Sequence, residues 1–139
     1  MGLVYRSKLR KPGNNLIHQS SFLKKMRRYC FALDLKDDVQ LIEEYDEHHR
    51  NVSIEIKNSI TGSGIISMDI YRAGNRLFMI METDDSFSFT QKEESDKANL
   101  QVQEWEQLMW KYQQILPFAK EGEKWVLMSR IFHLHKEEL

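Results

Sequence analysis

The sequence predicts an α+β protein with a ferredoxin-like β-α-β-β-α-β order of elements. Three observations predict this class. The hydrophobic pattern changes between strand and helix periods in that order, a hairpin-type link joins the two middle strands, and 139 residues suit a single domain. Apolar residues make up 41% and charged residues 29% of the chain. This composition is ordinary for a globular protein and excludes a collagen, a disordered tail protein and a disulfide scaffold.

The first strand and the first helix come from the segment that follows the basic N-terminus. Residues 29–35 (YCFALDL) are short and β-prone, and Asp37 or Asp38 is placed to cap a helix. Apolar and aromatic side chains then recur at helical spacing over 41–60. The Gly-Ser-Gly run at 62–64 ends this predicted helix.

Two further strands are predicted at 65–71 (IISMDIY) and 76–82 (RLFMIME), joined through Ala73-Gly74-Asn75. The polar stretch 83–98 is predicted to be a loop with a short helix.

The last two elements are a helix and a strand. An apolar stripe predicts a helix over 100–116, which Pro117 ends. Residues 124–133 (KWVLMSRIFH) are predicted to form the last strand.

The predicted sheet is apolar on both faces, and two helices cover only one of them. A sheet of this kind needs a second layer, and a partner subunit is the simplest one. We therefore predict a homodimer that packs sheet against sheet about a two-fold axis. In the first strand Phe31, Leu33 and Leu35 face one side and Cys30 and Ala32 the other. In the third strand Phe78 and Ile80 face one side and Leu77, Met79 and Met81 the other.

The N-terminus is strongly basic although the whole chain has a net charge of only −1. Residues 1–28 contain eight Lys or Arg and no acid. Three interpretations compete: a nucleic-acid-binding arm, an organelle transit peptide and an unstructured leader. We favour the leader, because a chain starting at Met26 keeps the whole predicted core. Residues 1–25 are thus expected to be a disordered or weakly ordered extension of a single domain over 26–139, with no nucleic-acid partner.

The chemical motifs are few. No apolar run is long enough to span a membrane, no metal-ligand or phosphate-loop pattern appears, and the single cysteine, Cys30, cannot form an internal bridge. We expect a cytoplasmic protein that uses no metal.

Tyr45 and His49 form the strongest local signal, because side chains at i and i+4 share one face of a helix. Both fall inside the predicted buried stripe. A histidine there can give or take a proton near neutral pH, and a phenol beside it can orient a hydroxyl. The alternative is a core histidine that bonds a backbone carbonyl.

Trp110 is the second signal, because it lies off the apolar face of its helix. It is free to stack on a sugar, to meet a partner subunit or to pack under a loop.

Five segments together resemble the L-rhamnose mutarotase family. They cover most of 27–132 in the expected order: RRYCFALDLKDD (27–38), EEYDEHH (43–49), GIISMDIYRAGNRLFMIMETDD (64–85), VQEWEQLMWKYQQILP (102–117) and GEKWVLMSRIF (122–132). The resemblance implies a dimeric α+β barrel that interconverts the α and β anomers of L-rhamnose, a monosaccharide, without a cofactor.

The resemblance also assigns site residues. It makes His49 the catalytic histidine and Tyr45 a substrate-binding residue. A tryptophan pair that contacts sugar in the family corresponds to Met109 and Trp110, and another substrate-contacting tyrosine corresponds to Met68, so two aromatic rings are replaced. The family's Val-Trp-Pro-Glu-Ile segment reads Val-Ser-Ile-Glu-Ile at 52–56, and loss of the proline is expected to straighten the first helix.

We therefore predict a mutarotase for L-rhamnose or a related 6-deoxy sugar. In it His49 transfers the proton, Tyr45 orients a hydroxyl and Trp110 bounds the sugar ring. The alternatives are a non-catalytic sugar-binding module on the same dimeric barrel and a haem-type monooxygenase with His49 as iron ligand.

Overall fold

The structure, a computed structural model, describes residues 25–136. The predicted N-terminal extension therefore lies outside the described residues, apart from Lys25. The described elements are β1 (Arg27–Leu35), α1 (Val39–Arg50), α2 (Ile54–Thr61), β2 (Ile65–Ala73), β3 (Arg76–Thr83), α3 (Phe89–Ala98), α4 (Leu100–Trp110), β4 (Gln113–Gln114) and β5 (Val126–Leu127). Within this range, no helix is both long and apolar enough to cross a membrane.

The strands form one antiparallel sheet in the order β2-β3-β1-β4, and β5 also pairs with β1. This arrangement confirms the predicted α+β, ferredoxin-like class. The central strands are in register, with Phe31 opposite Met79 and Leu33 opposite Leu77. All four side chains are at most 1% exposed. The core therefore lies on the face of the sheet that these residues share.

The hairpin between β2 and β3 is as predicted. Ala73 pairs with Arg76, so Gly74 and Asn75 form the turn. Gly74 has a φ of +59°, a left-handed conformation that glycine adopts without the steric cost of a side chain. The turn is tied to the neighbouring strand, because Asn75 O accepts a hydrogen bond from Leu35 N at 2.6 Å.

The prediction of one straight helix over 41–60 is wrong. The structure has two helices, separated at Asn51–Ser53. Asp38 caps α1 by accepting from Leu41 N at 2.9 Å, as predicted. Ser53 caps α2 by accepting from Ile56 N at 3.4 Å. An extended residue whose hydroxyl bonds the next turn starts a helix without any proline, and this explains the break.

The C-terminal elements are also shorter than predicted. Helix α4 ends at Trp110, well before Pro117, because the chain turns to place Gln113 and Gln114 beside β1. Only Val126 and Leu127 of the predicted last strand pair with β1 as β5. The side chains of 129–136 are exposed. The apolar pattern of this segment thus has no covering layer within the described chain.

The second face of the sheet is partly open. Cys30, Phe78 and Ile80 are half-buried, and Met128 is exposed. The helices cover the opposite face, where the buried side chains of β1 and β3 lie. The sequence predicted this two-faced character, and the geometry leaves the second face available to a partner.

Candidate active site

Helix α1 brings Tyr45 and His49 together at its C-terminal end. Tyr45 is 2% exposed and belongs to the core cluster. One turn later, the His49 ring lies against the Tyr45 ring, with centroids 4.3 Å apart and planes at 37°. The predicted pair therefore exists as a physical contact, with the imidazole on the outer side of a buried phenol ring.

The main chain fixes the tautomer of His49. Its Nδ1 lies 2.8 Å from the carbonyl oxygen of Tyr45, which can only accept, so Nδ1 carries the proton. In the neutral ring Nε2 is then an unprotonated acceptor. Nε2 is buried and has no hydrogen-bond partner in the described protein. Burial lowers the pKa of His49 below its ordinary value of 6.5, so at neutral pH the ring is a base.

A cavity of about 480 Å³ opens beside this imidazole. It lies between α2 and the outer edge of β2, which is the edge strand of the sheet. Its wall is mostly apolar, with a few polar groups that can bond hydroxyls. The lining residues are His49, Val52, Lys57, Ile60, Thr61 and Ile65–Ile70.

The phenol of Tyr45 is held inside the protein. Its oxygen lies 3.5 Å from Gln113 Nε2 on β4. Burial raises the pKa of Tyr45 to about 12, so this hydroxyl stays protonated at physiological pH and does not act as a base. The Tyr45 ring supports the imidazole from the core side.

Trp105 reaches the same imidazole from α4. Its ring meets His49 edge to face, with centroids 5.3 Å apart and planes at 72°. Its indole Nε1 is buried and has no hydrogen-bond partner in the described protein. From the sequence, Trp105 is predicted only to lie in the helix over 100–116. Its contact with His49 joins two helices that are distant in sequence, and local spacing carries no signal for such a contact.

Of the other predicted site residues, one lines the cavity and two do not. Met68 lines the cavity together with His49. Met109 is 1% exposed and packs in the core. Trp110 is 45% exposed and lies under the ammonium of Lys124, 4.8 Å from the ring centroid. Burial lowers the pKa of Lys124 to about 8. The residues lining the cavity do not include Trp110 or Met109, so these two remain predictions.

The neighbouring residue His48 makes a different contact. His48 Nε2 lies 3.0 Å from the Tyr112 hydroxyl, and this bond ties α1 to the segment before β4. Across the described residues, no three His, Cys, Asp or Glu side chains are grouped so that they could hold a metal ion. The site therefore offers one imidazole base beside a largely apolar cavity.

The chain is similar to several known proteins. The family model described as L-rhamnose mutarotase matches residues 28–134. An L-fucose mutarotase of Xanthomonas campestris is 39% identical over 111 residues, covering 78% of this chain and 89% of that protein. A UPF0734 protein of Dictyostelium discoideum is 37% identical over 116 residues, covering 78% of this chain and 90% of that one.

Among solved structures, an L-rhamnose mutarotase from Formosa agariphila has the same fold. The TM-score is 0.58 at 19% sequence identity, and the match covers 78% of this chain and 99% of that chain.

Proposed function

The chain belongs to the L-rhamnose mutarotase family, and from this premise we propose that it interconverts the α and β anomers of a pyranose with His49 as the proton-transfer group. The observation that supports the proposal is the state of one atom. His49 Nε2 is an unprotonated, buried acceptor without a partner, on a ring that borders a cavity.

The chemistry needs one group that works in both directions. The anomeric O–H gives its proton to Nε2 as its electrons form the aldehyde, and the C1–O5 bond breaks. The ring oxygen takes the electron pair of that bond and receives the proton from the imidazolium. Rotation about C1–C2 presents the other face of the aldehyde, and the same steps in reverse close the ring. Positioned acid–base catalysis of this kind contributes about 10²- to 10⁴-fold in rate.

Tyr45 supports this cycle in the proposal. Its carbonyl holds the proton on Nδ1, and that bond strengthens when the ring becomes an imidazolium. Its ring fixes the orientation of the imidazole. The substrate contacts predicted for the Tyr45 ring, Met68, Met109 and Trp110 are retained as part of the proposal, whereas the Tyr45 hydroxyl is assigned to the buried contact with Gln113.

The proposed substrate is a 6-deoxy L-sugar, either L-rhamnose or L-fucose. The cavity wall beside His49 is built from Val52, Ile60, Ile65, Met68 and Ile70. Such a wall suits a methyl group at C6 better than a hydroxymethyl group, because burying an unpaired hydroxyl is costly. Lys57, Thr61, Ser67 and Asp69 supply polar groups at the same cavity. The relative from Xanthomonas campestris is named for L-fucose.

NMR exchange spectroscopy tests this function directly. The purified protein is added to L-rhamnose, L-fucose, D-galactose and D-glucose, and the exchange rate between the anomeric signals is measured. The proposal expects faster exchange for at least one 6-deoxy sugar and a smaller effect on D-glucose. Sugar contact in saturation-transfer NMR without faster exchange would instead indicate a binding module, the alternative function.

A further inference from the structure

Two buried polar atoms without a hydrogen-bond partner belong to rings that touch each other. In the described part of the chain, five buried side-chain N or O atoms have no hydrogen-bond partner, namely His49 Nε2, Thr83 Oγ1, Asp96 Oδ2, Trp105 Nε1 and Gln113 Oε1. His49 and Trp105 are in ring contact, with centroids 5.3 Å apart. Native proteins pair most buried polar atoms, so two such atoms on touching rings call for a common explanation.

The two atoms are chemically complementary. With its proton on Nδ1, His49 offers an acceptor at Nε2, whereas an indole Nε1–H is a donor only. A pyranose hemiacetal offers the matching pair, because its anomeric hydroxyl donates and its ring oxygen accepts. Leaving a buried donor unpaired costs stability, and a sugar oxygen that accepts from it would remove that cost.

We propose that Trp105 is a substrate-binding residue whose indole N–H donates a hydrogen bond to an oxygen of the sugar hemiacetal while His49 Nε2 accepts from the anomeric hydroxyl. This inference rests on the proposed function. It adds a contact from α4 to a cavity whose described wall comes from α1, α2, β2 and the segment between the helices.

The first test observes the indole N–H itself. A ¹H–¹⁵N spectrum shows the indole signals of Trp105, Trp110 and Trp125, and the signal lost in Trp105→Phe identifies Trp105. Adding the sugar that the protein turns over best should shift the Trp105 signal. Trp125 is 1% exposed in the core, so its signal serves as the internal control and should stay in place.

The second test separates binding from support. Trp105→Phe keeps an aromatic ring but removes the donor, so we expect KM to rise about five- to tenfold with kcat largely kept, the size of one hydrogen bond. Thr83→Val removes another unpartnered buried polar atom, outside the cavity lining, and should leave both constants unchanged.

The outcomes are distinct. A stationary Trp105 signal in an active protein overturns the inference and leaves the mutarotase function standing. A fall in kcat with unchanged KM in Trp105→Phe also overturns it, because that result indicates support of His49 alone. If the unmodified protein accelerates no sugar, the proposed function fails and the inference fails with it.

Discussion

The pKa of His49 is set by two opposing local effects. Burial disfavours the charged ring and is the larger effect, while the hydrogen bond to the Tyr45 carbonyl favours it. The folded-state pKa is therefore below 6.5, and the neutral base persists as the pH falls to that value. We expect the acidic midpoint of kcat/KM to lie below pH 6.5, as a pH–rate profile will show.

The same shift affects stability. Between the lowered folded-state pKa and 6.5, the unfolded chain binds a proton at this position that the folded chain does not. The contribution of His49 to the free energy of unfolding is therefore present above pH 6.5 and is lost as the pH falls through this window.

In the pH–rate profile, a midpoint of kcat/KM above 6.5 would contradict the lowered pKa of His49.

Tyr45 allows the hydroxyl to be separated from the ring. Tyr45→Phe keeps the ring contact and the carbonyl, so we expect kcat/KM to stay within about threefold of the unmodified protein, because the buried phenol bonds only Gln113 at a long 3.5 Å. Tyr45→Ala removes the support and should lower kcat markedly. A tenfold or larger rise in KM for Tyr45→Phe would show that the hydroxyl contacts sugar, as the sequence analysis predicted.

Single residues differ in how far the sequence could reveal them. The spacing of Tyr45 and His49 was sufficient to predict their contact, because four residues on a helix bring side chains onto one face. The contact of Trp105 with His49 joins α4 to α1. The position of Gln113 depends on where β4 pairs. Neither follows from local spacing.

At the scale of elements, the break between α1 and α2 shows what the missing proline means. Ile54 is the first residue of α2, and Ser53 before it has φ −64° and ψ 154°. A proline is well accommodated at the first helical position, and the residue before a proline favours this extended conformation. The expected straightening was wrong because the family's proline would start a second helix and would not kink a continuous one.

This gives a prediction for stability. Ile54→Pro should leave the free energy of unfolding unchanged or slightly raised, since Ile54 is 61% exposed and is the first residue of α2, a position where proline is well tolerated. Glu43→Pro, at an exposed position inside α1, should cost about 3 kcal/mol. Urea unfolding followed by circular dichroism measures both. Equal losses in the two variants would mean that residues 50–54 do not form a helix boundary.

The lengths of the C-terminal helix and strand could not be predicted, because they depend on pairing with β1. Residues 124–133 have the composition of a strand, but a strand needs a neighbour along its whole length. Only Val126 and Leu127 pair with β1, and one further backbone bond runs from Met128 N to Cys30 O at 2.7 Å. Likewise, the apolar stripe of α4 continues past Trp110 in sequence. Tyr112 and Leu116 are buried, but they lie beyond the end of the helix, on either side of β4.

For the whole molecule, the open face of the sheet favours the proposed homodimer. Phe78 and Ile80 lie on this face opposite Ala32 and Cys30. Apolar side chains that are only half-buried and share one face can mark an interaction site, and pairing two such faces about a two-fold axis covers both. We expect light scattering after gel filtration to give the mass of two chains.

A variant pair tests which face is used. Phe78→Asp places a charge in the proposed interface and should yield a monomer. Val39→Asp places the same charge on a side chain that is 75% exposed at the start of α1 and should leave the dimer intact. A Phe78→Asp protein that is still folded and dimeric would rule out sheet-to-sheet packing.

The proton-transfer role of His49 is tested most directly by the rate of anomer exchange, measured by NMR with L-fucose and L-rhamnose for the unmodified protein, His49→Ala and His48→Ala. His48 is the matched control, because it is the adjacent histidine but bonds Tyr112 and does not line the cavity. We predict that His49→Ala loses at least about 100-fold of the acceleration, while His48→Ala keeps most of it and both variants stay folded. A folded His49→Ala protein that exchanges anomers as fast as the unmodified one would contradict the account.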